Sequence, residues 1–153
     1  MTTIAYKDGI MAADGRETLD GFILNDACKK IMRLGDGSLV GGHGETQGIN
    51  QVMDALFAGK DKLPKAEGAD LLMVKPDGKM YLKEGGDRKF RPLESNLKFY
   101  AIGSGARYAI TAMKAGADAK RAVELAIEAD VWSGGKIQVV PLKPPINQEK
   151  ESA

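Results

Sequence analysis

MTTIAYKDGIMAADGR, residues 1–16, is the stretch from which the fold is read. Thr3-Ile4-Ala5-Tyr6 and Ile10-Met11-Ala12-Ala13 are two short β-compatible runs. Lys7-Asp8-Gly9 lies between them, and an Asp-Gly pair between such runs signals a tight hairpin turn. The chain therefore opens on paired strands.

Downstream, Phe22 to Leu34 holds Phe22, Ile23, Leu24, Ile31 and Met32, and runs into the turn Gly35-Asp36-Gly37. Ser38-Leu39-Val40 is a strand entering Gly41-Gly42-His43-Gly44. From Glu45 to Ala58 the period changes. Ile49, Val52, Met53, Leu56 and Phe57 make one helical apolar stripe, with Gly59 as terminator. Asp61 to Ala69 is polar, contains Pro64 and reads as a loop. Leu71–Val74 and Lys79–Leu82 flank Lys75-Pro76-Asp77-Gly78, a second hairpin. Lys98 to Ile102 is a strand into Gly103-Ser104-Gly105, and a helix follows from Arg107 to Lys114. Asp118 can cap another helix, with a small apolar face of Ala119, Ala122, Val123, Ala126 and Ile127. Gly134-Gly135 ends it, and Lys136 to Leu142 is a closing strand. Strand runs followed by helix runs predict two sheets with helices packed outside, not an alternating parallel α/β fold. One domain over 1–143 is expected, with a polar, proline-led, disordered tail over 144–153.

The bulk numbers narrow the function. A chain of 153 residues with 22 basic and 21 acidic side chains has a formal charge of +1, which argues against a nucleic-acid partner. No apolar run approaches the ~20 residues of a membrane span, and the first residues lack a signal-peptide pattern. A soluble cytoplasmic protein is expected. One cysteine, Cys28, excludes an intramolecular disulfide, and with a single histidine, His43, it cannot build a usual zinc site. No metal or organic cofactor is implied. His43 is given no catalytic role, and Cys28 is expected to be a small buried side chain.

Chemistry enters at the second residue. Removal of Met1 before a small residue would leave Thr2 with a hydroxyl and a free α-amine. An α-amine titrates near ~7.7–8.0, so it can take the hydroxyl proton at neutral pH. Nucleophile and base would then share one residue. Thr2-Thr3-Ile4, Ala12-Ala13-Asp14-Gly15-Arg16, Lys29-Lys30-Ile31, Gly42-His43-Gly44-Glu45-Thr46, Ala101-Ile102-Gly103-Ser104-Gly105 and Asp130-Val131-Trp132-Ser133-Gly134 occur in that order. From Thr2 to about Val140 the chain resembles the proteasome β-subunit family of N-terminal nucleophile (Ntn) hydrolases, the HslV type above all.

That resemblance implies an α+β fold, a four-layer αββα sandwich of two mostly antiparallel sheets. It also implies a threonine endopeptidase. Thr2 would be the nucleophile, Lys30 the active-site ammonium and Asp14 its carboxylate partner. Gly44 would give an oxyanion N–H, and Ser104, Asp130 and Ser133 would bond around the threonine amine. A fixed ammonium beside Thr2 disfavours protonation of the amine and stabilises an alkoxide, in accord with those roles. In the family the strand bearing the lysine and the glycine turn wall the pocket for the residue before the cleaved bond. Here Cys28, Met32, Gly42 and Thr46 would do so, making a neutral, roomy pocket for apolar side chains.

Relatives carry a second long helix where this chain has only Asp61 to Gly68, so one helical layer should be reduced. By resemblance the subunits form a homo-oligomeric ring, in a double stack, around peptide or unfolded-protein substrate. An ATP-dependent unfoldase is the partner such rings take, and the shortened layer removes part of the side it meets. The same residues would serve a small-amide amidase, or persist in a catalytically silent ring subunit. A nucleotide-binding module is a remote alternative. Both Gly-rich junctions lack the third glycine of G-x-G-x-x-G, with Gln47 and Tyr108 in its place.

Overall fold

The computed structural model describes residues 1–143. The tail expected over 144–153 lies outside the described residues. Two sheets carry the architecture. The first has the order β10-β1-β2-β11, from β1 (Thr3–Lys7), β2 (Ile10–Ala13), β10 (Phe99–Gly103) and β11 (Gln138–Pro141). The second is β5 (Ile31–Arg33), β6 (Leu39–Gly44), β7 (Ala69–Val74), β8 (Met80–Lys83) and β9 (Arg91–Pro92), neighbours in that order. Every pairing is antiparallel. Helix α1 (Thr46–Phe57) packs on the second sheet, and α2 (Ala106–Lys114) and α3 (Ala119–Ala129) pack on the first.

The period of two along β1 and β2 builds three of the four layers. Ile4, Tyr6, Met11 and Ala13 face the second sheet, meeting Ile31, Leu39, Leu72 and Val74 in a closed core. The alternate residues Ala5 and Ala12, with Ala101 of β10, face the helices, where they meet Ala109, Ala122, Val123 and Ala126. Small side chains on both sides let α2 and α3 lie close to the sheet. Asp118 caps α3, its Oδ1 accepting the Arg121 N–H at 2.8 Å.

The reduced layer is α1 alone. Val52, Met53 and Ala55 cover Val40, Leu71 and Met73, and the 58–68 connection contributes Leu63 and Ala66 to the same core. That connection is irregular, as its composition predicted, yet two of its side chains are buried.

The Phe22–Leu34 run divides in two. β3 (Glu17–Leu19) and β4 (Phe22–Asn25) form a separate hairpin belonging to neither main sheet. Leu19, Phe22, Ile23 and Leu24 on it are all about half exposed. Arg16 closes the hairpin base through Asp26, Nε to Oδ1 at 2.9 Å.

Candidate active site

Thr2 sits just before β1 with 5% exposure, where strand ends from both sheets converge. Lys30 reaches it from the residue before β5. Its ammonium donates to Thr2 Oγ1 at 3.0 Å, Asp14 Oδ1 at 2.9 Å and the Arg16 carbonyl at 2.7 Å, with the Met1 carbonyl at 3.2 Å. Asp14, directly after β2, is fully buried. Besides Lys30 it accepts the N–H groups of Thr3 at 2.9 Å, Gly134 at 3.0 Å and Arg16 at 3.3 Å. Four donors offset the cost of burying this carboxylate. The ammonium is thereby held against the threonine hydroxyl.

Gln138 of β11 fixes the backbone of Lys30 from the other sheet. Its Oε1 accepts the N–H of Lys30 at 2.9 Å and of Ile31 at 3.0 Å, and its Nε2 donates to the Ile31 carbonyl at 3.0 Å. Nothing in the sequence marked Gln138, because this tie joins segments 108 residues apart.

The third group is Asp130 with Ser104 and Ser133. Ser104 and Ser133 each place Oγ 2.6 Å from Asp130 Oδ2. With their protons given to the carboxylate, Ser133 accepts from Thr3 Oγ1 at 2.7 Å. Ser104 also lies 3.3 Å from the Thr2 carbonyl, and Trp132 N–H reaches Asp130 Oδ1 at 3.2 Å. Burial works to raise the Asp130 pKa, but the two hydroxyls, the Trp132 N–H and the N-terminal ammonium outweigh it and lower it. The group therefore touches the Thr2 carbonyl and Thr3 while Met1 is in place. Glycine at 103 follows from packing: its φ is +101°, and a Cβ there would overlap the Thr2 carbonyl oxygen.

The N-terminal ammonium is on Met1. Burial lowers its pKa, Lys30 lowers it further, and Asp14 and Asp130 oppose. Removal of Met1 would put the amine on Thr2, among the same charges.

A cavity of about 320 Å³ opens beside Thr2 and Lys30, and Cys28, Met32, Gly42, Gly44 and Thr46 all line it. Two expectations need correction. Cys28 is partly exposed to this cavity rather than buried, and burial pushes its thiol pKa up. Cys28 and Lys30 also precede β5 instead of lying on it. Sequence reading missed the apolar floor, Val40, Ile49, Met53 and Phe57. Its signal was present: Ile49, Met53 and Phe57 recur at i, i+4 and i+8 on α1, so that helix stripe serves core and cavity together. Arg16, Glu17, Lys29 and Asp54 add charges to the lining that sequence reading left out.

Gly44 ends β6 at φ +104°, and a Cβ would overlap the Gly68 carbonyl oxygen. Only glycine fits this close approach at such a backbone angle.

The architecture is a four-layer αββα sandwich of two antiparallel sheets. Its fold is HslV-like: the chain is similar to eukaryotic HslV from Trypanosoma brucei, with a TM-score of 0.70 at 20% identity over 91% of this chain and 97% of that one. It is also similar to Thiobacillus denitrificans BPH, with a TM-score of 0.66 at 25% identity over 94% of this chain and 98% of that one. No protein-family model and no curated protein matches this chain. Among the described residues no helix is long and apolar enough to cross a membrane.

Proposed function

We propose that the chain, once Met1 is removed, is a threonine-type endopeptidase that cleaves peptides or unfolded protein. One observation carries the reading: Lys30 Nζ bridges Thr2 Oγ1 at 3.0 Å and buried Asp14 at 2.9 Å beside a cavity of about 320 Å³. The freed amine of Thr2 takes the hydroxyl proton, directly or through a water, and Oγ1 attacks the substrate carbonyl. Lys30 stays charged, steadies the developing alkoxide and disfavours protonation of the amine. The Gly44 N–H donates to the oxyanion. Collapse returns the proton to the leaving amine and leaves an ester on Thr2, which water hydrolyses by the same base. Ser104, Asp130 and Ser133 hold the amine in place.

The cavity floor favours an apolar side chain before the cleaved bond. The HslV-like fold supports a homo-oligomeric ring, in a double stack, as the working form. An ATP-driven unfoldase is one way to feed it; with the side such a partner meets reduced, acting alone on peptides or loosely folded protein is the other, and the cytoplasm would be its compartment. Residues 1–143 act as one domain in this reading.

Intact mass after incubation with a peptide epoxyketone tests it, since that reagent needs both hydroxyl and free amine of an N-terminal threonine. One stoichiometric adduct on a chain lacking Met1, absent in Thr2→Ala, is expected. No adduct on processed, assembled protein would remove the reading.

A further inference from the structure

Beside Gly44 lies a polar cluster that this reaction does not use. His43 precedes Gly44 on β6 and stands in register with Asp70 of β7. Its Nε2 is 3.1 Å from Asp70 Oδ2, with the two side chains 26% and 36% exposed. The other oxygen of Asp70 accepts the Gly85 N–H at 3.1 Å, just beyond β8. Gly85 in turn accepts the Ala66 N–H at 2.8 Å. Buried Lys83 of β8 adds an attraction to Asp70. On the far side of Gly44, the Glu45 N–H donates to the Gly68 carbonyl at 3.0 Å.

The Gly44 N–H belongs to the peptide that joins His43 to Gly44. A glycine has no side chain to restrict that peptide plane, so its direction depends on anchors at the flanking residues. The Glu45 N–H supplies one. The backbone pairing of His43 with Asp70 on β7 supplies another, and the His43 side chain adds a contact to the same Asp70.

We infer that His43 is a positioning residue, whose contact with Asp70 aims the Gly44 N–H at a carbonyl bound at Thr2. The inference rests on the peptidase reading. Burial lowers the pKa of His43; Asp70 opposes this, while the N-terminal ammonium and Lys30 reinforce it. The ring is therefore neutral at pH 7, and with its proton on Nε2 it donates to Asp70.

The test compares two ligands on the processed protein. A peptide boronate forms a tetrahedral adduct on Thr2 that needs the oxyanion donor. A product peptide with an apolar C-terminal residue fills the same cavity without needing it. His43→Phe is expected to weaken the boronate and kcat about tenfold, part of what losing a whole oxyanion donor costs. KM and product-peptide affinity stay put. His43→Asn, which can still donate to Asp70, recovers most of the loss. Unchanged boronate affinity in His43→Phe, or equal weakening of both ligands, overturns the inference. If wild type forms no epoxyketone adduct, the peptidase reading itself falls; an adduct with a boronate-insensitive His43→Phe removes His43 alone.

Discussion

Asp14 has no solvent exposure, yet it carries a formal charge and four hydrogen bonds. Three of its donors are backbone N–H groups, so the carboxylate organises the chain before any chemistry. Lys30 supplies only the fourth. The pair is therefore asymmetric, and two substitutions separate its halves. Lys30→Met leaves Asp14 with three donors but no counter-charge; it should cost less stability than Asp14→Ala while abolishing peptidase turnover. Asp14→Ala orphans three N–H groups and the Lys30 ammonium, whose side chain is 8% exposed. That should cost about 3–5 kcal/mol, the scale for stripping a buried charge of its partner. Urea unfolding of both variants beside wild type measures it. Equal losses would mean that the ion pair, not the backbone cradle, is what Asp14 contributes.

Elements carry these residues to the site, and Asp130 shows how. It ends α3 and accepts from Ser104 at the entry to α2, so one carboxylate ties the exit of α3 to the approach of the helix before it. A carboxylate at a helix C-terminus opposes the helix dipole, and the two serines with the Trp132 N–H outweigh that. Its pKa is lowered in the fold. Its stabilising contribution is thus full above the unfolded value near ~3.9 and is lost as pH falls through the folded value. Asp130→Asn should melt below wild type at pH 7, with the gap closing as pH drops below about 4. A gap constant from pH 7 to pH 3 would refute this linkage.

The main elements were readable because their periods are local: the 2-residue alternation of β1 and β2, and the 3.6-residue stripe of α1. The β3–β4 hairpin was not, since its apolar residues point to solvent, where alternation identifies no inner face. The site divides the same way. Thr2, Asp14, Lys30 and Ser104, each marked by a short motif, lie in one hydrogen-bonded cluster. Gln138 and the His43–Asp70 contact depend on pairing across strands that no spacing along the chain encodes.

At the scale of the molecule, that hairpin exposes Leu19, Phe22, Ile23 and Leu24, each 50–54% accessible. Leu19 is in register with Phe22, and Phe22 and Leu24 alternate with Ile23, so three of the four share one face of the ribbon, an exposed apolar face of the kind that marks an interface. A two-stranded ribbon is also marginal alone, so covering it would stabilise both the ribbon and the Arg16–Thr18 segment at the cavity edge. In the proposed ring the cover would be a neighbouring subunit, a heterologous contact repeated around the axis. Phe22→Asp should leave the monomer folded, because Phe22 packs in none of the three cores. It should shift sedimentation from a ring to a monomer and abolish peptide hydrolysis at concentrations where wild type is assembled. Unchanged sedimentation would take the hairpin out of the interface. A monomer with full activity would show instead that each subunit completes its own site.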